Sequence, residues 1–191
     1  MNKSTTPPNP NTQDLQDFQD DEDSSMLETS DKDACELLDA DHIAVKHLFV
    51  DYARLAILPQ ALAEKTAAER TALAMKICDE LTVHAQIEEE IFYPAVRAGV
   101  PDSAALIDKA LSEHQVAKQL IADIRGIGTA NPAMDTLVAE LNVAIENHVK
   151  DERDIMFSKA MAAAEIDLLA LADEMFDRQN ELQSLPESGP D

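Results

Sequence analysis

From Cys35 to about residue 182 the apolar positions recur every three or four residues, the spacing of a helix face rather than the alternation of a strand. Start and stop signals cut this stretch into five helices. The first is predicted after Asp33, which can form a capping box with Glu36, and runs to about Leu58, ahead of Pro59. Thr66 and Glu69 form a second capping box. The helix they open is predicted to bend at Pro94 and to end at about Ala98, where Gly99 closes it. The third starts after Asp102 or Ser103 and ends in the stretch Gly126-Ile127-Gly128. Asn131 and Pro132, a cap and a first-turn proline, open the fourth, which reaches about Ala163. A shorter amphipathic helix covers about 166–182. Four long helices joined by short loops predict an all-α fold, an up-down-up-down four-helix bundle with a short fifth C-terminal helix, over residues 34–182.

Composition supports one helical domain. The 191 residues are 45% hydrophobic, enough for one substantial core, and 4 glycines with no tryptophan suit helices better than sheet. The net charge of −23 argues against nucleic acid or an anionic membrane as partner. Residues 1–33 carry nine acidic and two basic side chains and few large apolar ones, so they are expected to form a disordered acidic tail. Residues 183–191 are expected to be a disordered C-terminal end. There is no apolar segment of the signal-peptide kind at the N-terminus and no apolar run of about 20 residues, so a cytoplasmic protein is expected. Cys35 and Cys78 lack the spacing of a zinc or redox pair and read as small buried hydrophobes in a reducing compartment.

The histidines change this picture. Each helical residue advances about 100°, which places Leu73, Ile77, Ile91 and Ala95 within about 20° of His84. His84 therefore points inward, and Glu88, one turn on, stays about 40° from it, whereas Glu89 and Glu90 fall more than about 100° away and read as solvated. The fourth helix repeats the pattern, with His148 and Glu152 on the stripe of Leu137, Leu141, Ile145 and Ile155. His42 lies among Cys35, Leu38, Val45 and Phe49, and His114 among Ile107, Ala110, Leu111 and Ile121. His47 sits about 140° from His42 and faces outward. One core would thus hold four imidazoles and two carboxylates, and a buried carboxylate without compensating charge costs several kcal/mol. A metal pair removes that cost. The chain also repeats itself: a lone His helix and then an HxxxE helix, twice. Two ions near the resulting twofold axis can each take imidazoles, with Glu88 and Glu152 bridging them across about 3.5–4 Å. The mix of imidazole and carboxylate points to non-haem iron or manganese, with zinc a further candidate.

At these residues the chain resembles the hemerythrin-like, or HHE cation-binding, family. "DHIAVKHLF", "HAQIEEEIFYP", "EHQVAKQLI" and "HVKDERDIMF" stand in the family's order, and the resemblance covers about residues 34–182. It implies two non-haem iron ions, His42 and His84 on one, His114 and His148 on the other, with Glu88 and Glu152 as bridges. The sequence departs from the oxygen-carrying members, which have HxxxH on the third helix and end in HxxxxD. Here those places hold Lys118 and Arg153, leaving four imidazoles rather than five. Fewer protein ligands leave more open coordination, which favours exchange of water, peroxide or NO over storage of O2. Lys118 reads as a rim lysine whose stem lies along the core. Tyr52 is a candidate to meet an open metal position and Tyr93 a packing residue, while Asp39 or Glu113 is a candidate to orient a histidine through its second nitrogen.

The function expected is a cytosolic di-iron protein that binds or reacts with O2, peroxide or NO in a protective or sensing role, with a catalase-like activity as one form. The alternative is an iron- or oxygen-gated interaction protein without turnover, in which the tail or the His47 face meets a protein partner. Ferritin-like ferroxidases use Glu-x-x-His pairs, which this sequence lacks.

Overall fold

The computed structural model describes residues 32–59, 62 and 64–184. The acidic tail, apart from its last two residues, and the C-terminal end beyond Ser184 lie outside the described residues. Among the described residues there is no strand. The elements are α1 (Ala34–Ala56), α2 (Ala67–Ile87), a π-helical segment (Glu88–Phe92), α3 (Tyr93–Gly99), α4 (Ala104–Ile127), α5 (Pro132–Asp151), a second π-helical segment (Glu152–Met156), α6 (Phe157–Ala162) and α7 (Leu168–Ser184). Each π segment joins the helices on either side without a break, so α2 with α3, and α5 with α6, are single rods. Together with α1 and α4 they form the four-helix bundle, each sequential pair packing side by side and α5 returning to α1. The fifth helix, α7, lies against α1, α2 and the first π segment.

Local signals explain most boundaries. Asp33 accepts from the Glu36 N–H while Glu36 accepts from the Asp33 N–H, the reciprocal cap expected. Asn131 accepts from the N–H groups of Ala133 and Met134 ahead of α5. Gly128 ends α4 at φ 76°, a conformation that glycine adopts without strain. Thr66 differs from expectation: its ψ of 4° is not the extended geometry of a cap, and its hydroxyl donates backwards to the Leu62 carbonyl. The second helix widens into a π turn just before Pro94 instead of only bending there.

The core is divided into two apolar layers. One contains Leu38, Ile87, Phe92, Val96, Ile107, Met156 and Phe157, with α7 contributing Ala172 and Met175. The other contains Val45, Phe49, Ile77, Leu81, Ile121, Met134 and Leu141. Between them, at the level where the first layer's Leu38 gives way to the second layer's Val45 on α1, lies a polar layer. Both cysteines are buried, one in each apolar layer, and burial raises the Cys35 thiol to about 12 and the Cys78 thiol to about 11. Among the described residues no helix is long and apolar enough to cross a membrane.

Candidate metal centre

The polar layer consists of His42 from α1, His84 from α2, His114 from α4, His148 from α5, and Glu88 and Glu152 from the starts of the two π segments. All six are buried. His42 and His84 face each other with Nε2 atoms 2.9 Å apart, and His114 and His148 do the same at 3.2 Å. Each glutamate reaches both pairs. Glu88 Oε2 lies 3.4 Å from His84 Nε2 and 3.3 Å from His114 Nε2, while Glu152 Oε2 lies 3.4 Å from His148 Nε2 and 3.4 Å from His42 Nε2. The arrangement follows the sequence repeat: His42, His84 and Glu88 correspond in place to His114, His148 and Glu152, with each glutamate reaching across to the other half.

Outer carboxylates hold the far side of three rings. His84 Nδ1 meets Asp41 at 3.4 Å, His114 Nδ1 meets Glu89 at 2.8 Å, and His148 Nδ1 meets Glu113 at 3.1 Å. A carboxylate accepts only, so each of these rings places an N–H on Nδ1, and in its neutral form it turns a bare Nε2 lone pair inward. The inward lone pairs then face one another and two carboxyls. Glu88 Oε1, Glu152 Oε2 and His42 Nδ1 are buried without a hydrogen-bond partner. Such a concentration of acceptors is unfavourable on its own and is what a pair of cations would satisfy. The electrostatics agree. Burial, opposed by neither outer carboxylate nor solvent, lowers His42 to about 2, with His84 adding to the shift. Burial and the facing Glu88 raise Glu152 well above the usual carboxylate range. Burial would lower His84 too, but Glu88 and Asp41 outweigh it and raise the imidazole. The donor atoms fall into two groups of metal-binding size, His42, His84, Glu88 and Glu152 in one and Glu88, His114 and His148 in the other.

A family model described as the hemerythrin HHE cation binding domain matches residues 33–160. The chain belongs to the hemerythrin HHE family. A solved structure of a hemerythrin HHE cation binding domain-containing protein from Mycobacterium kansasii is similar in fold, with a TM-score of 0.61 over 80% of this chain and 88% of that one, at 23% identity. A DNA nickase from Nostoc sp. is 33% identical over 85 residues, which is 44% of this chain. This chain spans only 23% of the nickase's own length.

Within this HHE domain, several side chains differ from their expected roles. Tyr93 is part of the centre: its hydroxyl donates to Glu152 Oε1 at 2.8 Å and lies 3.2 Å from His114 Nε2 and 3.4 Å from Glu88 Oε2. Tyr52 instead donates to Asp135 at 2.8 Å, beside Arg70, away from the centre. Of the two candidates to orient a histidine, Glu113 does so, whereas Asp39 pairs with Arg153 on the surface. Asp41 and Glu89 complete the set. Glu89 is not solvated as expected; it bridges His114 and Lys118, whose ammonium lies 2.7 Å from both its oxygens. Glu90 does face solvent and pairs with Arg178. Lys118 is therefore held at the rim of the HHE site, and His47 is exposed on α1.

The first π segment accounts for the differences at Glu89 and Tyr93. A π turn takes about 4.4 residues instead of 3.6, so it inserts one residue and rotates everything beyond it. Tyr93, which an unbroken α-helix would put about 140° from Glu88, comes round to its side. The same insertion in the second segment turns Ile155 outward and buries Met156 and Phe157 in its place.

Proposed function

We propose that the HHE domain holds two non-haem iron ions, with His42 and His84 on one, His114 and His148 on the other and Glu88 and Glu152 shared, and that the loaded centre binds or reacts with O2, peroxide or NO in a protective or sensing role in the cytoplasm. The observation that carries the reading is that each of two buried glutamates lies within 3.4 Å of an imidazole from both pairs, the arrangement a shared carboxylate needs. Manganese or zinc would use the same donors with different reactivity. Bound iron would supply ligand binding and one-electron chemistry. The chain's own residues do the rest. Asp41, Glu89 and Glu113 fix three rings, and the two apolar layers keep bulk water out. Tyr93 holds its phenol proton against Glu152, since burial and the two carboxyls push the phenol far above its ordinary pKa.

The test is metal content and absorption of iron-loaded protein before and after hydrogen peroxide. Two irons per chain and a near-ultraviolet spectrum that changes on addition support a reactive centre, and oxygen evolution lost in Glu88→Ala would make it catalase-like. A folded protein that takes up no iron overturns the reading.

A second reading, gating of an interaction without turnover, draws on the donors' distribution. They come from all four rods of the bundle, so metal occupancy would tie the rods together. Equal protease digestion with and without iron would count against it. DNA nicking, which the name of the Nostoc protein raises, has little support here, because a chain of net charge −23 repels a polyphosphate backbone.

A further inference from the structure

Resting on the metal-centre reading, we infer that Gln179 of α7 is a positioning residue for the centre: it holds Asp41, which in turn holds the ring of His84. The Gln179 side-chain amide donates from Nε2 to Asp41 Oδ2 at 3.3 Å, and the same oxygen meets His84 Nδ1 at 3.4 Å. A carboxylate oxygen has lone pairs for both donors, so the two bonds do not compete.

Comparison of the three outer carboxylates shows why this contact matters. Each holds one ring, and each is itself held by a further side chain. Glu89, on His114, is bound by Lys118, and Glu113, on His148, is bound by Lys109. Both lysines belong to α4, within the bundle. Asp41, on His84, has no lysine or arginine at ion-pair distance among the described residues, and its further partner is the neutral Gln179. A charge-assisted bond between two ions is about twice as strong as a neutral one, so Asp41 is the least firmly held of the three. Its ring contact is also the longest, 3.4 Å against 2.8 Å for Glu89 and 3.1 Å for Glu113. The His84 arm therefore depends most on its one further partner.

That partner comes from outside the bundle. The family match ends at residue 160, and α7 lies wholly beyond it. Ala172 and Met175 seat α7 in the first apolar layer. Spacings of three and four residues put Ala172, Met175 and Gln179 on one helix face, so seating the first two brings Gln179 to α1. Arg178, beside it, reaches the other neighbour: its Nε lies 2.7 Å from Glu90 Oε2 on the first π segment. Two successive residues of α7 thus grip the residue before His42 and the second residue after Glu88. Only the Gln179 contact leads on to a ligand ring.

The test uses the full chain loaded with isotopically enriched iron, read by competition against a coloured chelator and by Mössbauer spectra. Gln179→Ala should weaken iron binding several-fold, less than the roughly 10–100-fold of losing a ring's own carboxylate partner. It should alter the signal of one iron and leave the other unchanged. Gln179 is half-buried and alanine favours helix, so α7 should stay formed. Gln179→Lys restores a donor of the kind that serves Glu89 and Glu113, and should return affinity and spectrum to wild type. Arg178→Ala removes the neighbouring grip and spares Asp41, so iron affinity should not change. Wild-type affinity and spectrum in Gln179→Ala overturn the inference. Equal losses in Gln179→Ala and Arg178→Ala, or a loss that Gln179→Lys does not repair, also overturn it, because α7 would then act by packing alone. Absence of iron from the folded wild-type chain is a different failure, since it removes the metal centre itself.

Discussion

Tyr93 and Phe157 occupy the same place in two copies of one motif: each donates its backbone N–H to the carbonyl five residues back, of Glu88 and of Glu152 respectively. That i to i+5 bond closes a π turn directly after each inward glutamate, and so turns the next aromatic ring toward the centre. The copies then diverge. Tyrosine brings a hydroxyl into hydrogen-bond distance of both carboxyls, and phenylalanine brings a face for His42 to stack on.

Tyr93→Phe would make the two halves alike. It removes the hydroxyl that donates to Glu152 and leaves the ring's packing intact, so the metal-free chain should lose about 1–3 kcal/mol, the value of a buried hydrogen bond to a carboxyl group. Urea denaturation of metal-free protein measures it. Iron content should remain at the wild-type level, because the imidazoles and both glutamates are untouched. Loss of iron in this variant would instead make Tyr93 a required ligand.

Glu89→Gln and Glu90→Gln separate neighbours with different tasks. Glu89 accepts from His114 Nδ1 and pairs with Lys118, whereas Glu90 pairs with Arg178 across to α7. Weakening an outer partner of a ligand histidine costs about 10–100-fold in metal affinity. Competition against a coloured chelator should show that loss for Glu89→Gln and none for Glu90→Gln.

The fold was legible because its signals are local and repeated: the Asp33–Glu36 and Asn131 caps, the glycines and the 3.6-residue stripes all lie within a few residues of what they determine. The six inward residues were legible for the same reason, since each lies before the point at which a rod changes pitch. Glu89 and Tyr93 were not. A π turn has no clear residue signature, and phasing carried across it with α-helical arithmetic rotates every later side chain wrongly. Tyr52 was misassigned differently: it does lie on the inward face of α1, but about three turns from His42, level with Asp135 and Arg70. The angle around a helix is readable from spacing, whereas the partner met at that level depends on how the rods pack.

Metal removal should expose how far the proposed ions would hold the bundle together. At about 100 times its dissociation constant one ion contributes about 2.7 kcal/mol, or roughly 5–10 °C in Tm for a domain of this size. A chelator should therefore lower the wild-type Tm by at least that amount. His84→Ala and Glu152→Ala should bind little iron and show no chelator response, since each removes a buried donor. His47→Ala, exposed on α1, should behave as wild type. If it lost iron as His84→Ala does, the assignment of inward and outward faces would be wrong. Differential scanning calorimetry with and without chelator gives all four values.

The metal-free chain should also show a pH response that one substitution steepens. Unfolded, His42 takes a proton below 6.5, but folded it stays neutral until about 2, because it is buried and faces His84. The unfolded state then binds more protons across that window, so this histidine makes stability fall as pH drops. His148, lowered by burial, acts in the same sense. Glu152 acts in the opposite sense. Burial and Glu88 keep it protonated in the folded chain above 4.5, where the unfolded carboxyl has ionised, so its contribution is lost as pH rises. Above 4.5, where the unfolded carboxyl has ionised, the two effects oppose each other. Glu152→Gln keeps the shape of the protonated carboxyl and removes its titration, so its stability should fall more steeply than wild type as pH drops from 6.5 to 4.5. Urea midpoints of metal-free protein at pH 7, 5.5 and 4.5 test this, and parallel slopes in the two chains would show that Glu152 is ionised in the fold.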